Sequence, residues 1–152
     1  MSLDVKEVTL AEQPAIAMRA TLPMAQLPEF FGRAFGTLME FAGEHGAGFA
    51  GPPFAQYYSV EPDSVDVEAA FPLTNAVEGE GEVHALMLPA GEAAEVLFRG
   101  PYGAMEAAYG ELFAWIAQHG KQPAGPCREV YLNEPGTVPE SELETLIIQP
   151  VA

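Results

Sequence analysis

The chain has 152 residues, 49% of them apolar and 18% charged, enough to bury the core of about one domain and too apolar for a disordered chain. Twenty-two acidic residues against six basic ones leave a net charge of −16. The six cations (Lys6, Arg19, Arg33, Arg99, Lys121 and Arg128) are scattered, which argues against direct nucleic-acid binding and against attachment to an anionic membrane, since both draw affinity from clustered Lys and Arg.

Residues 1–5 lack the basic-then-apolar pattern of an export signal, and no apolar run approaches spanning length. A single cysteine, Cys127, has no partner for an internal disulfide. A cytoplasmic protein is expected. The acidity serves solubility in the simplest reading and a field that draws in cationic ligands in the sharper one.

In chain order, residues 6–10 and 15–21 are short extended runs around the turn signal Glu12-Gln13-Pro14. A helix is expected over about 23–44, with Leu27, Phe31, Phe35, Leu38 and Phe41 at helical spacing, a break near Pro28, and Gly46 ending it. Residues 54–60 and 65–71 read as a hairpin around Pro62-Asp63, and residues 77–82 have hinge composition. The series then repeats: extended runs at 83–88 and 94–99 around Pro89-Ala90-Gly91, a helix over about 101–118, and a closing hairpin of 129–132 and 144–148. Met105, Ala108, Leu112 and Trp115 form one stripe of that helix, and Tyr109, Phe113 and Ile116 an adjoining one.

The recurrence extends to single residues. His45-Gly46 returns as His119-Gly120, Gly51-Pro52 as Gly125-Pro126 and Tyr57 as Tyr131, each 74 residues later. Pro23 and Pro101, and Phe71-Pro72 and Gln149-Pro150, stand 78 apart. The expected architecture is α+β, a tandem duplication of a ββαββ unit with pseudo-two-fold symmetry and a ligand cleft at its centre. Repeat one spans about 1–76, repeat two about 82–152, and the hinge about 77–81, within one domain.

The second repeat reads Gly100-Pro101-Tyr102-Gly103, then Tyr109, Leu112, Trp115-Ile116, Gly120, Gly125-Pro126, Glu129-Val130-Tyr131-Leu132-Asn133-Glu134-Pro135 and Val138-Pro139. It resembles the GyrI-like small-molecule-binding domain, also known as the AraC-type effector-binding domain of multidrug-responsive regulators. The resemblance covers the whole chain and is most specific at the Glu-x-Tyr-Leu-Asn-acid-Pro segment. Glu134 stands where the family usually has Asp. The resemblance implies binding of hydrophobic or cationic small molecules, to sense or sequester them, with Glu129 facing the ligand. It also brings two alternatives. Some stand-alone relatives are described as hydrolases of strained-ring cytotoxic compounds, with Glu129 as general base and Tyr109 as its phenolic partner. The family name comes from a gyrase inhibitor, which makes a regulator or topoisomerase a candidate protein partner.

Alternation along a strand places Cys127, Glu129 and Tyr131 on one face. Ala55 occupies the position in repeat one equivalent to Glu129, so the two copies differ where a site would differ. A carboxylate flanked by rings in a cleft can neutralise an apolar cation or act as a base whose affinity for protons burial raises. Tyr57, Tyr109, Tyr131 and Trp115, then Phe35 and Phe54, are the candidate walls. Phe31, Phe41, Phe98 and Phe113 are expected in the core, as are Met24, Met39 and Met105. His45 and His119 sit at equivalent helix ends and read as caps, while His84 stands alone in a strand. No His, Cys and acid have metal-ligand spacing and no Gly-rich loop has phosphate-binding spacing, so neither metal nor cofactor is expected.

Overall fold

The computed structural model describes residues 3–134 and 136–152. Pro135, the last residue of the Glu-x-Tyr-Leu-Asn-acid-Pro segment, lies outside them, as do Met1 and Ser2. Strands β1 (Val5–Leu10) and β2 (Gln13–Leu22) precede helix α1 (Leu27–Glu44), followed by β3 (Phe54–Val60) and β4 (Val65–Pro72). Then β5 (His84–Leu88) and β6 (Gly91–Arg99) precede α2 (Glu106–Gln118), β7 (Cys127–Tyr131) and β8 (Glu144–Pro150). The fold is α+β, with the order ββαββ twice, as expected. Among the described residues no helix is long and apolar enough to cross a membrane.

Each helix enters through one 3-10 turn, at Met24–Gln26 and Tyr102–Ala104. Pro23 and Pro101 are extended and stand just before those turns. Pro28 does not break α1. It occupies the first turn, where its missing N–H has no helical partner to lose. The helices also end alike. Gly46 and Gly120 take φ values of 62° and 69°, and Ala47 and Lys121 donate backward to the carbonyls of Ala42 and Ile116 at 2.9 and 3.1 Å. This is the left-handed helix stop that glycine makes cheaply. His45 and His119 hydrogen-bond through Nδ1 to the carbonyls of Phe41 and Trp115 at 2.9 and 2.8 Å, with rings stacked on those residues at 4.0 and 3.9 Å. The histidines cap the helices, as their position suggested.

The chain divides into two compact units, and their limits cut across the sequence repeats. One holds Ala11–Ala90, with antiparallel strand order β3-β4-β2-β5. The other holds the chain up to Leu10 together with Gly91–Ala152, in the order β1-β6-β8-β7. The first strand of each repeat therefore pairs with a strand of the other: β1 with β6 from Val5↔Val96 to Leu10↔Gly91, and β5 with β2 from Gln13↔Leu88 to Ala17↔His84.

In the Gly91–Ala152 unit, Ala94, Val96 and Phe98 alternate on β6 and join Ile147 of β8 beneath Met105, Ala108, Leu112 and Ile116 of α2. Full burial of a Leu or Ile here contributes about 1.5–3 kcal/mol. Trp115 is half-buried at the edge of this core, and Ile116 takes the place the sequence pattern assigned to it. In the Ala11–Ala90 unit, α1 buries Phe30, Ala34, Leu38, Phe41 and Ala42. The buried stripe is thus turned from the expected one, leaving Phe31 and Phe35 half-buried. Met105 is in the core, but Met24, Met39 and Phe113 are exposed, against expectation. Phe113 follows Leu112 on the helix, and only one of two adjacent positions can face the sheet.

Candidate functional site

Strand β7 sets Cys127, Glu129 and Tyr131 on one face. Glu129 is in register with Ile147, which belongs to the core under α2, so this face is the one α2 covers. Glu129 is only 6% exposed. Tyr109 of α2 donates its hydroxyl proton to Oε2 of Glu129, and Tyr131 donates to Oε1 at 2.9 Å. The ring of Tyr131 meets Tyr102 edge-on at 5.8 Å, and Tyr109 lies nearly parallel to Phe113 at 6.4 Å. A buried carboxylate is thus held by two phenols and bordered by two further rings, both partly open to solvent.

The electrostatics of the neighbours follow from that placement. Burial, and then the charge of Glu129, push the Tyr102 phenol above its ordinary range. The Cys127 thiol is pushed up to about 12 by burial and by Glu129, a hydrogen bond with Tyr109 opposing only in part. Cys127 is therefore a neutral thiol at physiological pH, not a nucleophile. Arg128 points to the opposite face of β7 and is 8% exposed. Burial lowers its proton affinity.

Of the sequence candidates, the structure brings together Glu129, Tyr109 and Tyr131 and adds Tyr102 and Phe113. Tyr102 opens the 3-10 turn that leads into α2. Its signal was the Gly-Pro-Tyr-Gly entry, where a bulky ring stands among small residues. Trp115 lies six residues beyond Tyr109, about 120° round the helix, and stacks on His119. Tyr57, Phe35 and Phe54 belong to the other unit. Tyr57 is half-buried and opposite Val67. Phe35 lies over Phe31 and meets Phe71 edge-on, each at 5.6 Å. Phe54 is 2% exposed, and alternation puts it on the strand face away from Tyr57. Ala55, the counterpart of Glu129, is fully buried opposite Ala69.

His84 is not alone, which corrects the sequence reading. Its Nε2 lies 2.5 Å from Oε2 of Glu68, a β4 side chain only 2% exposed. Glu68 also accepts from Tyr58 at 2.6 Å and from Gln56 at 3.0 Å. Arg19 stacks on the Tyr58 ring at 3.7 Å and makes two 2.9 Å bonds to Asp66. This cluster is on the face shared by Phe54 and Gln56, opposite to Phe71, which meets α1. Sequence reasoning missed it because strand pairing alone brings His84 to Glu68. The available signal was one Glu inside the apolar run Val67–Phe71. Among the described residues no three His, Cys, Asp or Glu are grouped to hold a metal.

Residues 3–152 match the model of the GyrI-like small molecule binding domain, so the chain belongs to that family, and the class defined by fold and site is a small-molecule-binding domain. A comparison with curated proteins finds no significant match. Among solved structures, the C-terminal domain of EcmrR superposes with a TM-score of 0.86 at 22% identity, covering 100% of this chain and 99% of that one. EcmrR in complex with DNA gives 0.83 at 21% identity over 98% of this chain, which spans only 57% of the EcmrR chain. SAV2435 bound to tetraphenylphosphonium gives 0.69 at 12% identity, covering 100% and 94%. A hydrolase from Listeria innocua gives 0.74 at 10% identity, covering 97% and 91%. At these identities the likeness is one of fold.

Proposed function

We propose that this GyrI-like domain captures amphipathic or aromatic cations, with Glu129 as the counter-charge and Tyr109, Tyr131, Tyr102 and Phe113 as the rings that receive them, either to sequester such compounds or to report them to a separate regulator. Trp115, on the same helix as Tyr109, stays as a candidate contributor. The carrying observation is a carboxylate 6% exposed yet held by two phenols beside partly open rings. In a medium of low effective dielectric such a charge attracts a cation far more strongly than a surface carboxylate does, and aromatic faces add cation–π attraction. The structural neighbour bound to tetraphenylphosphonium is in keeping with this chemistry.

The test is calorimetric titration with tetraphenylphosphonium. Glu129→Gln keeps the shape and removes the charge, and affinity should fall at least tenfold. Equal affinity of wild type and Glu129→Gln would refute the counter-charge.

A second reading is hydrolysis of strained-ring compounds. The observation favouring it is the direct Tyr109–Glu129 hydrogen bond, a base and a phenolic proton donor in contact. Glu129 would take a proton from water as the water oxygen bonds to a ring carbon and the strained ring bond breaks. Tyr109 would protonate the released carbon and regain its proton from Glu129 across their hydrogen bond. Mass spectrometry after incubation with cyclopropane-bearing alkylators should then show the gain of one water. No turnover above buffer across a varied panel would remove this reading.

A further inference from the structure

Resting on the counter-charge reading above, we infer that the site selects cations without N–H groups, such as quaternary ammonium, phosphonium and N-alkylpyridinium, over protonated amines and guanidinium compounds of the same size. The reason lies in how Glu129 is covered. Tyr109 donates to one carboxylate oxygen and Tyr131 to the other, and the residue is only 6% exposed. The negative charge is felt outside this cover, but the oxygens that bear it are turned toward the phenols.

A guest arriving at the rings therefore meets aromatic surface and phenol oxygens whose protons are already committed inward. A phenol oxygen in this state accepts a further hydrogen bond only as a neutral group. A primary ammonium brings three N–H donors, and a guanidinium five. Stripped of water and given one or two neutral acceptors, such a cation keeps unmatched donors, which is costly in a buried setting. A quaternary cation has no donors to match. It gives up weaker hydration and keeps both the Coulomb attraction and the contact with the rings. Cys127 adds no acceptor of consequence, since its sulfur stays protonated on the same face.

The experiment uses a matched pair, 4-phenylbenzyltrimethylammonium and 4-phenylbenzylammonium, titrated by calorimetry at pH 7, where both are cations. The trimethylammonium compound should bind wild type at least tenfold more tightly. Tyr131→Phe removes the phenol proton from Oε1 and Tyr109→Phe removes the one from Oε2. In whichever variant keeps the wild-type melting profile, the ratio should shrink at least threefold, because an ionised acceptor has become reachable. An unchanged ratio in the variants, or a primary ammonium that binds wild type as tightly as its quaternary partner, overturns the inference. Glu129→Gln separates this outcome from failure of the underlying reading. If both cations bind that variant as tightly as wild type, the counter-charge itself is wrong.

Discussion

Replacing Glu68 tests whether the second buried carboxylate organises its unit. Glu68 accepts three hydrogen bonds, and their donors differ in access to water. Gln56 is 4% exposed, so losing its acceptor strands an amide N–H at a cost of about 1–3 kcal/mol. Tyr58 is half-buried and recovers part of its bond from solvent, so about 1 kcal/mol is lost there. His84 has a side chain 43% exposed and loses little. Glu68→Leu offsets part of this by placing apolar atoms in the space, leaving a net cost of about 2 kcal/mol. For a chain of this size that is about 6 °C in melting temperature. Glu68→Gln retains one acceptor but sets a donor against donors, for about 1–2 kcal/mol. His84→Ala should cost under about 1 kcal/mol. Urea unfolding followed by circular dichroism measures all three. Glu68→Leu within about 0.5 kcal/mol of wild type would show that the cluster contributes nothing to the fold.

Further outcomes follow from other local features. With its thiol pushed up to about 12, Cys127 keeps its proton where the unfolded chain loses it. Its share of stability is therefore present at neutral pH and declines as pH rises from about 9 toward 12. Iodoacetamide at pH 8.5 should alkylate the native protein at least about a hundredfold more slowly than the urea-unfolded chain, read by mass spectrometry. Gly120→Ala forces a side chain onto a φ of 69° and should cost about 1 kcal/mol in the same urea assay. A Cβ at Gly79 would stand 2.5 Å from the Val83 carbonyl oxygen and 2.7 Å from Cα of His84. Gly79→Val should therefore destabilise by about 1–3 kcal/mol, with wild-type stability as the contrary result.

Much of the architecture was legible because its signals are local. Pro23, Pro101, Gly46 and Gly120 mark helix limits through their own backbone chemistry, and β3 was legible to its ends. Glu129 stood out through alternation and through the contrast with Ala55. The pairing of β1 with β6 was hidden, since a ββαββ pattern reads the same whether its first strand stays or is exchanged. The turn of α1 was hidden too. Phe30 and Phe31 are adjacent and equally apolar, and only packing decides which one enters the core. The Glu68 cluster depends on contacts among β3, β4 and β5, which no spacing within one strand reveals.

The exchanged strands also order events during synthesis. Everything needed by the Ala11–Ala90 unit is contiguous, so β5 can complete it while the rest is still on the ribosome. Residues 5–10 emerge ahead of that unit yet have nothing to pair with until residues 91–96 appear. Closing so long a loop is slow and entropically costly, which makes docking of the N-terminal strand a late step. The consequence reaches the half that carries Glu129. The sheet that presents Glu129 includes a strand made before the Ala11–Ala90 unit, so that sheet is completed only after the intervening unit has been synthesised.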